Sequence, residues 1–155
     1  MSLGQEVKKR IKKLLCKENI FLDLKSCIKQ DIIEEMIDRL FIAGLIADKE
    51  KVLESVMERE NKMTTGMEHG IALPHGKTDA VDDLVVAIGL KKEGVDFDCI
   101  DHKPAKIFIM TVSPLSHTGP HIQFLAEVSK LLKEPKAREQ LLTAITQEDV
   151  IKVFV

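Results

Sequence analysis

The chain has 155 residues, 45% of them hydrophobic, which is enough for one domain with a substantial core and too apolar for disorder. Its 23 basic and 25 acidic side chains leave a formal charge of −2, so there is no basic field to attract nucleic acid or an anionic membrane. No run approaches the length of a membrane span, and the absence of Trp and Tyr removes the usual stacking platforms for bases and sugar rings.

Residues 1–4 show no apolar leader and are set aside as a vector-derived or disordered start. Residues 5–17 predict a basic amphipathic helix with Val7, Ile11, Leu14 and Leu15 on one side. Residues 19–24 alternate as a short strand does. Ser26 is placed to cap a helix that runs to about Ala43, with Ile28, Ile32, Met36 and Leu40 at four-residue spacing and Gly44 as its stop. Asp48 caps the next helix, whose buried stripe is Val52, Leu53, Val56 and Met57 and whose end lies near Glu60. Segments 83–90 and 106–112 are apolar, β-branched runs of the buried-strand kind, with a turn and a short extended piece at 94–98 between them. A helix over 120–132 would turn Ile122, Leu125, Val128 and Leu132 inward; another follows Pro135, and Thr146 with Asp149 caps a last short one. Helices around a central group of strands predict an α/β fold, a three-layer α/β/α sandwich with one sheet. No repeat, low-complexity tract or linker interrupts it, so residues 1–155 read as a single domain. Cys16, Cys27 and Cys99 are odd in number and widely spaced, as reduced thiols of a cytoplasmic protein would be.

The segment richest in chemistry is Gly70-Ile71-Ala72-Leu73-Pro74-His75-Gly76-Lys77, an apolar strand delivering one histidine into a turn. Pro74 fixes φ before His75, and Gly76 lets the backbone fold tightly behind it, after a Thr64-Thr65-Gly66 turn upstream. A neutral ring nitrogen beside accessible amides is what a phosphoryl-accepting histidine requires. The plainer alternative is a turn whose ring caps a carbonyl, and spacing alone leaves the two even. His121 opens a helix after Gly119-Pro120, where free N–H groups attract anions; it is either a donor to a phosphoryl group or a first-turn histidine without a partner. His117 and His121 are four apart, but Thr118-Gly119-Pro120 separates them and no glutamate stands where a zinc hydrolase needs its base, so no metal site is predicted. His69 and His102 lie in polar, turn-like contexts and read as exposed. Arg59 ends a helix, either complementing its dipole or serving as an anion clamp, with Glu60 as its simple partner and Lys77 adding positive potential.

Taken in order, Arg59-Glu60, Thr65-Gly66, Gly70 through Gly76, Gly94-Val95-Asp96-Phe97-Asp98 and Gly119-Pro120-His121 resemble the signature of the enzyme IIA domain of the fructose/mannitol class. These domains belong to the bacterial phosphoenolpyruvate-dependent phosphotransferase system, and the class includes its nitrogen-regulatory branch. The Pro-His-Gly core alone is a weak motif; the ordered set, spanning about residues 10–154, is a strong one. The resemblance implies a mixed, mostly parallel sheet of about five strands flanked by helices. It implies that His75 is the phosphorylated nucleophile, that His121 stabilises the phosphoryl group, that Arg59 clamps it, and that Thr65, Gly66 and Gly76 belong to the loops around it. It also implies an HPr-type phosphocarrier as donor, a cysteine of a IIB-type domain as acceptor in sugar uptake, and no cofactor or metal. The alternative within the class is a regulatory protein that controls partners through its phosphorylation state. One departure stands out: His69 occupies the place where many members carry asparagine. Transfer between proteins also calls for an apolar surface near His75, for which Met63 and Met67 are expected to be partly exposed and at least one of Ile71 and Leu73 buried.

Overall fold

The computed structural model describes residues 5–116 and 119–155. The start at 1–4, His117 with Thr118, and the side chains of Val7 and Pro120 lie outside the described residues.

Helix α1, Gln5–Leu14, is shorter than its sequence pattern predicts, and Asn19 explains why. The Asn19 side chain is buried, accepts from the Cys16 amide at 2.9 Å and donates to the carbonyls of Leu14 and Val86, so the chain turns into a short 3₁₀ segment, Lys17–Asn19. Strand β1 is only Ile20–Phe21. Ser26 does not cap α2. Its amide and hydroxyl both bond Glu35, at 2.8 and 2.7 Å, so the helix begins at Lys29 and Ile28 is left 58% exposed instead of inward. A carboxylate that accepts from one hydroxyl and two neighbouring amides outcompetes the local cap. Helix α2, Lys29–Ile42, buries Ile32, Ile33, Met36, Ile37 and Leu40. Helix α3, Lys49–Lys62, starts at the predicted cap, where Asp48 accepts from the Lys51 amide at 3.1 Å.

The strands β1, β2 (Ile71–Ala72), β3 (His75–Lys77), β4 (Val85–Val95) and β5 (Ala105–Ser113) form one mixed sheet among the described residues. β1 runs parallel to β4, and β2 and β3 both run parallel to β5; the long β4–β5 ladder in the middle is antiparallel. β4 extends past Leu90 through an irregularity to Val95, which pairs with Ala105, so the turn predicted at 94–98 starts inside the strand. Alternation sorts the strand residues into two cores. Ile88, Leu90, Ile107 and Ile109 pack with Ile11, Phe124, Val128, Leu141 and Phe154 from the helices on one face. Ala87, Phe108, Met110 and Val112 pack with Ile32, Met36, Val52 and Val56 on the other. The result is the predicted sandwich, with helices on both faces of one sheet.

Helices α4 (Gly119–Leu131), α5 (Pro135–Leu142) and α6 (Gln147–Phe154) complete the first face, α6 with the predicted Thr146–Asp149 capping box. In and just past α4, Val128 and Leu132 are buried and Leu125 packs against the core as expected, joined by His121, Phe124 and Leu131, whereas Ile122 is 62% exposed, contrary to expectation. The difference lies in the first turn, where a histidine takes the first place of an otherwise apolar face.

Candidate phosphoryl-transfer site

The chain around His75 is a strand broken by a proline. β2 ends at Ala72; Pro74 offers only its carbonyl, which accepts from the Thr111 amide at 3.1 Å, and the strand resumes at His75. His75, Gly76 and Lys77 then pair in parallel with Thr111, Val112 and Ser113. His75 therefore stands on a strand and not in a turn, and Gly76 serves another purpose than a tight fold. It faces α3, where an added Cβ would lie 2.7 Å from Ser55 Oγ and 2.9 Å from the Val56 amide nitrogen. Glycine is needed because helix and strand backbones approach closely there.

The half-buried His75 ring is oriented by the Leu73 carbonyl, 2.9 Å from Nδ1. A carbonyl can only accept, so Nδ1 carries the hydrogen and Nε2 of the neutral ring keeps a free lone pair. The His121 ring centroid lies 5.5 Å away, with the planes at 76°. His121 is 2% exposed, and both its nitrogens are engaged: Nε2 with Thr111 Oγ1 at 2.7 Å and Nδ1 with Ser113 Oγ at 2.8 Å. Burial first, then electrostatic repulsion from the His75 and Lys77 side of the site, pushes its pKa down to about 4. His121 is a neutral ring.

Arg59 donates from Nη1 to the Met63 carbonyl at 2.8 Å, which closes the end of α3. With Ser55, Glu58, Lys62, His75, Gly76 and Lys77 it lines a cleft of about 350 Å³, in which three cations face a single carboxylate. That charge balance favours an anion beside His75. Glu60 does not pair with Arg59. It is buried and accepts from the Thr65 amide at 2.8 Å, the Thr65 hydroxyl at 2.6 Å and Lys29 Nζ at 2.9 Å, with Lys29 also over the Phe97 ring.

Thr65 and Gly66 are not among the residues lining the cleft. Thr65 supports it from behind, its carbonyl accepting from the Leu73 amide at 3.1 Å while the Leu73 carbonyl in turn orients His75, and Gly66 bridges Ala72 of β2. His69 and His102 are exposed, as the sequence indicated, and both have left-handed backbones, with φ of 65° and 61°. Asparagine, aspartate and histidine are the side chains that best tolerate that region, so His69 in place of asparagine preserves the turn into Gly70. Met63 and Met67 are exposed while Ile71 and Leu73 are both buried. Among the described residues no three His, Cys, Asp or Glu side chains are grouped to hold a metal ion.

Three residues that sequence reasoning passed over belong to this arrangement, Thr111, Ser113 and Lys29, and Glu60, which it assigned to Arg59, has Thr65 and Lys29 as partners instead. The first two were visible as hydroxyls at alternate positions of an aliphatic strand, which is an anomaly for a buried face. Lys29 and Glu60 meet only in three dimensions, and no spacing signals them.

The sequence pattern of the phosphoenolpyruvate-dependent sugar phosphotransferase system EIIA 2 family matches residues 13–155. The fructose-specific EIIA component of Haloferax volcanii is 38% identical over 137 residues, covering 88% of this chain and 89% of that protein. The crystal structure of the nitrogen regulatory protein IIA-Ntr from Neisseria meningitidis superposes with a TM-score of 0.88 at 27% identity, over 94% of this chain and 99% of that one. Escherichia coli enzyme IIA for mannitol, solved in complex with phosphorylated enzyme IIB, superposes with a TM-score of 0.76 at 25% identity, over 90% of this chain and 96% of that one. A half-buried histidine with one nitrogen free, beside a neutral partner ring and a cationic cleft, thus sits on the fold of these phosphotransfer components, and the chain belongs to the EIIA 2 family of the phosphotransferase system.

Proposed function

We propose that this chain is a histidine phosphocarrier for sugar uptake of the fructose/mannitol class. The observation that carries the reading is the Leu73 carbonyl on His75 Nδ1, which leaves Nε2 as the free nucleophile at the edge of a cationic cleft. In this reading the Nε2 lone pair attacks the phosphorus of a phosphohistidine on an HPr-type carrier. The new N–P bond forms as the old one breaks, and the leaving electron pair returns to the donor imidazole. Such a transfer asks little covalent chemistry of the protein; in-line positioning and charge stabilisation suffice. Arg59, Lys62 and Lys77 supply positive potential to the phosphoryl oxygens, and neutral His121, with both nitrogens engaged, stands beside them without competing as a nucleophile. The group then passes to a thiolate of a IIB-type domain, a partner supported by the mannitol IIA–IIB complex of the same fold. Residues 1–155 act as a single IIA unit in this account, since both cores share one sheet. No described helix is long and apolar enough to cross a membrane, and we place the chain's work in the cytoplasm.

The superposition on IIA-Ntr favours one alternative, a regulatory protein whose phosphorylation state governs partner binding. Both readings share the chemistry at His75 and differ in the fate of the phosphoryl group. Intact-mass spectrometry after incubation with phosphoenolpyruvate, enzyme I and HPr should show one acid-labile phosphoryl adduct on the wild type and none on His75→Ala. Addition of a fructose-class IIB domain should then discharge the adduct. An adduct that persists with IIB favours regulation, and an unmodified wild type contradicts the phosphocarrier reading.

A further inference from the structure

Two hydroxyls on alternate residues of β5 clasp a single imidazole. On the face of β5 that meets α4, Ile107 and Ile109 give way to Thr111 and Ser113, both fully buried. Thr111 Oγ1 lies 2.7 Å from His121 Nε2, and Ser113 Oγ lies 2.8 Å from Nδ1. A neutral imidazole has one donor and one acceptor nitrogen, so one hydroxyl must give a proton to the ring while the other receives one. An aliphatic side chain at either position would leave a buried ring nitrogen without a partner, a costly arrangement in a dry site.

The strand register decides which way the proton points. Thr111 is the partner of His75, and Ser113 is the partner of Lys77. The Nε2 edge of His121 is therefore held on the side of the phosphoryl acceptor, and the Nδ1 edge on the side of a lysine ammonium. A lone pair is stabilised beside a cation and destabilised beside a phosphoryl anion; an N–H has the opposite preference. We propose that Thr111 and Ser113 are positioning residues that hold His121 in its Nε2–H tautomer, with Ser113 donating to Nδ1 and Nε2–H donating to Thr111 Oγ1, so that the hydrogen of the Thr111 hydroxyl is left to face the phosphoryl group on His75. His121 then favours added negative charge by orienting and polarising the Thr111 hydroxyl, with no proton to be acquired or lost during transfer. The inference rests on the reading of His75 as the phosphoryl acceptor.

The test is long-range ¹H–¹⁵N correlation of the histidine rings at neutral pH, alongside transfer rates to IIB, in wild type, Ser113→Ala, Ser113→Thr and Thr111→Val. The wild type should show His121 as the Nε2–H tautomer. Ser113→Ala and Thr111→Val should mix the tautomers and slow onward transfer by about two- to tenfold, the effect of one hydrogen bond. Ser113→Thr, which keeps the hydroxyl, should restore both signals. A His121 ring in the Nδ1–H tautomer overturns the inference, as does a ring whose tautomer ignores both hydroxyl deletions. Normal phosphorylation of His75 beside either result would overturn this inference alone, whereas a wild type that takes no phosphoryl group would overturn the phosphocarrier reading and this role with it.

Discussion

His75 and His121 carry the same side chain with ring centroids 5.5 Å apart, and the fold treats them in opposite ways. His75 extends from a short edge strand, half-buried, with one nitrogen tied to a backbone carbonyl and the other open to a cationic cleft. His121 replaces an aliphatic residue in the inward stripe of α4 and spends both nitrogens on strand hydroxyls. The first ring keeps a lone pair available; the second is prevented from becoming either a nucleophile or a cation. Two imidazoles in one site need different environments if only one is to react. Here the difference comes from what the neighbouring strand offers: a carbonyl that can only accept, or hydroxyls that can do either.

The largest effect should come from exchanging the two roles. His75→Gln should abolish phosphoryl acceptance, whereas His121→Gln should leave it measurable and slow onward transfer by about ten- to hundredfold, as loss of a preorganised stabilising group does. Quench-flow transfer assays on both variants check the contrast, and equal losses would erase it.

Gly76→Ala should act through the backbone that presents His75. An added Cβ would meet Ser55 and the α3 backbone at 2.7–2.9 Å, so strand and helix must separate. A stability loss of about 1–3 kcal/mol is the usual cost of such overpacking, and transfer should fall while His121 keeps its tautomer. Chemical denaturation and the transfer assay together read both effects.

The smallest effect is a pH signature. His121 has a folded-state pKa of about 4 against an ordinary value of 6.5, so above pH 6.5 the ring is neutral whether folded or not. As pH falls from 6.5 toward 4, the unfolded chain binds a proton that the folded chain refuses, and stability declines. The decline has an upper limit of about 1.4 kcal/mol per pH unit from this one group and levels off below its folded pKa. Urea midpoints measured across that window should fall less steeply in His121→Gln than in wild type.

Much of this was legible in the sequence because it is local. Asp48 and Thr146 announced their helices, the runs at 83–90 and 106–112 announced the central strands, and the Pro-His-Gly motif singled out the histidine that lines the cationic cleft. What escaped depends on partners far along the chain. β3 is three residues long and contains no strand pattern of its own; it exists because β5 offers a parallel edge. Ser26 has the chemistry of a cap, yet Glu35, nine residues later, takes its hydroxyl. Ile122 fits an inward spacing, but His121 claims the inward place because two hydroxyls await it there. Glu60 looks like a partner for the arginine beside it, while the fold gives it Thr65 and Lys29 and so braces the loop behind the His75 ring.

The most direct test of the account is to locate the phosphoryl group atom by atom. Long-range ¹H–¹⁵N correlation spectra of the ¹⁵N-labelled phosphoprotein should show one modified ring, His75, phosphorylated on Nε2 and retaining its Nδ1 hydrogen on the Leu73 carbonyl. A phosphoryl group on Nδ1 of His75, or on His121, would contradict the assignment of the two rings.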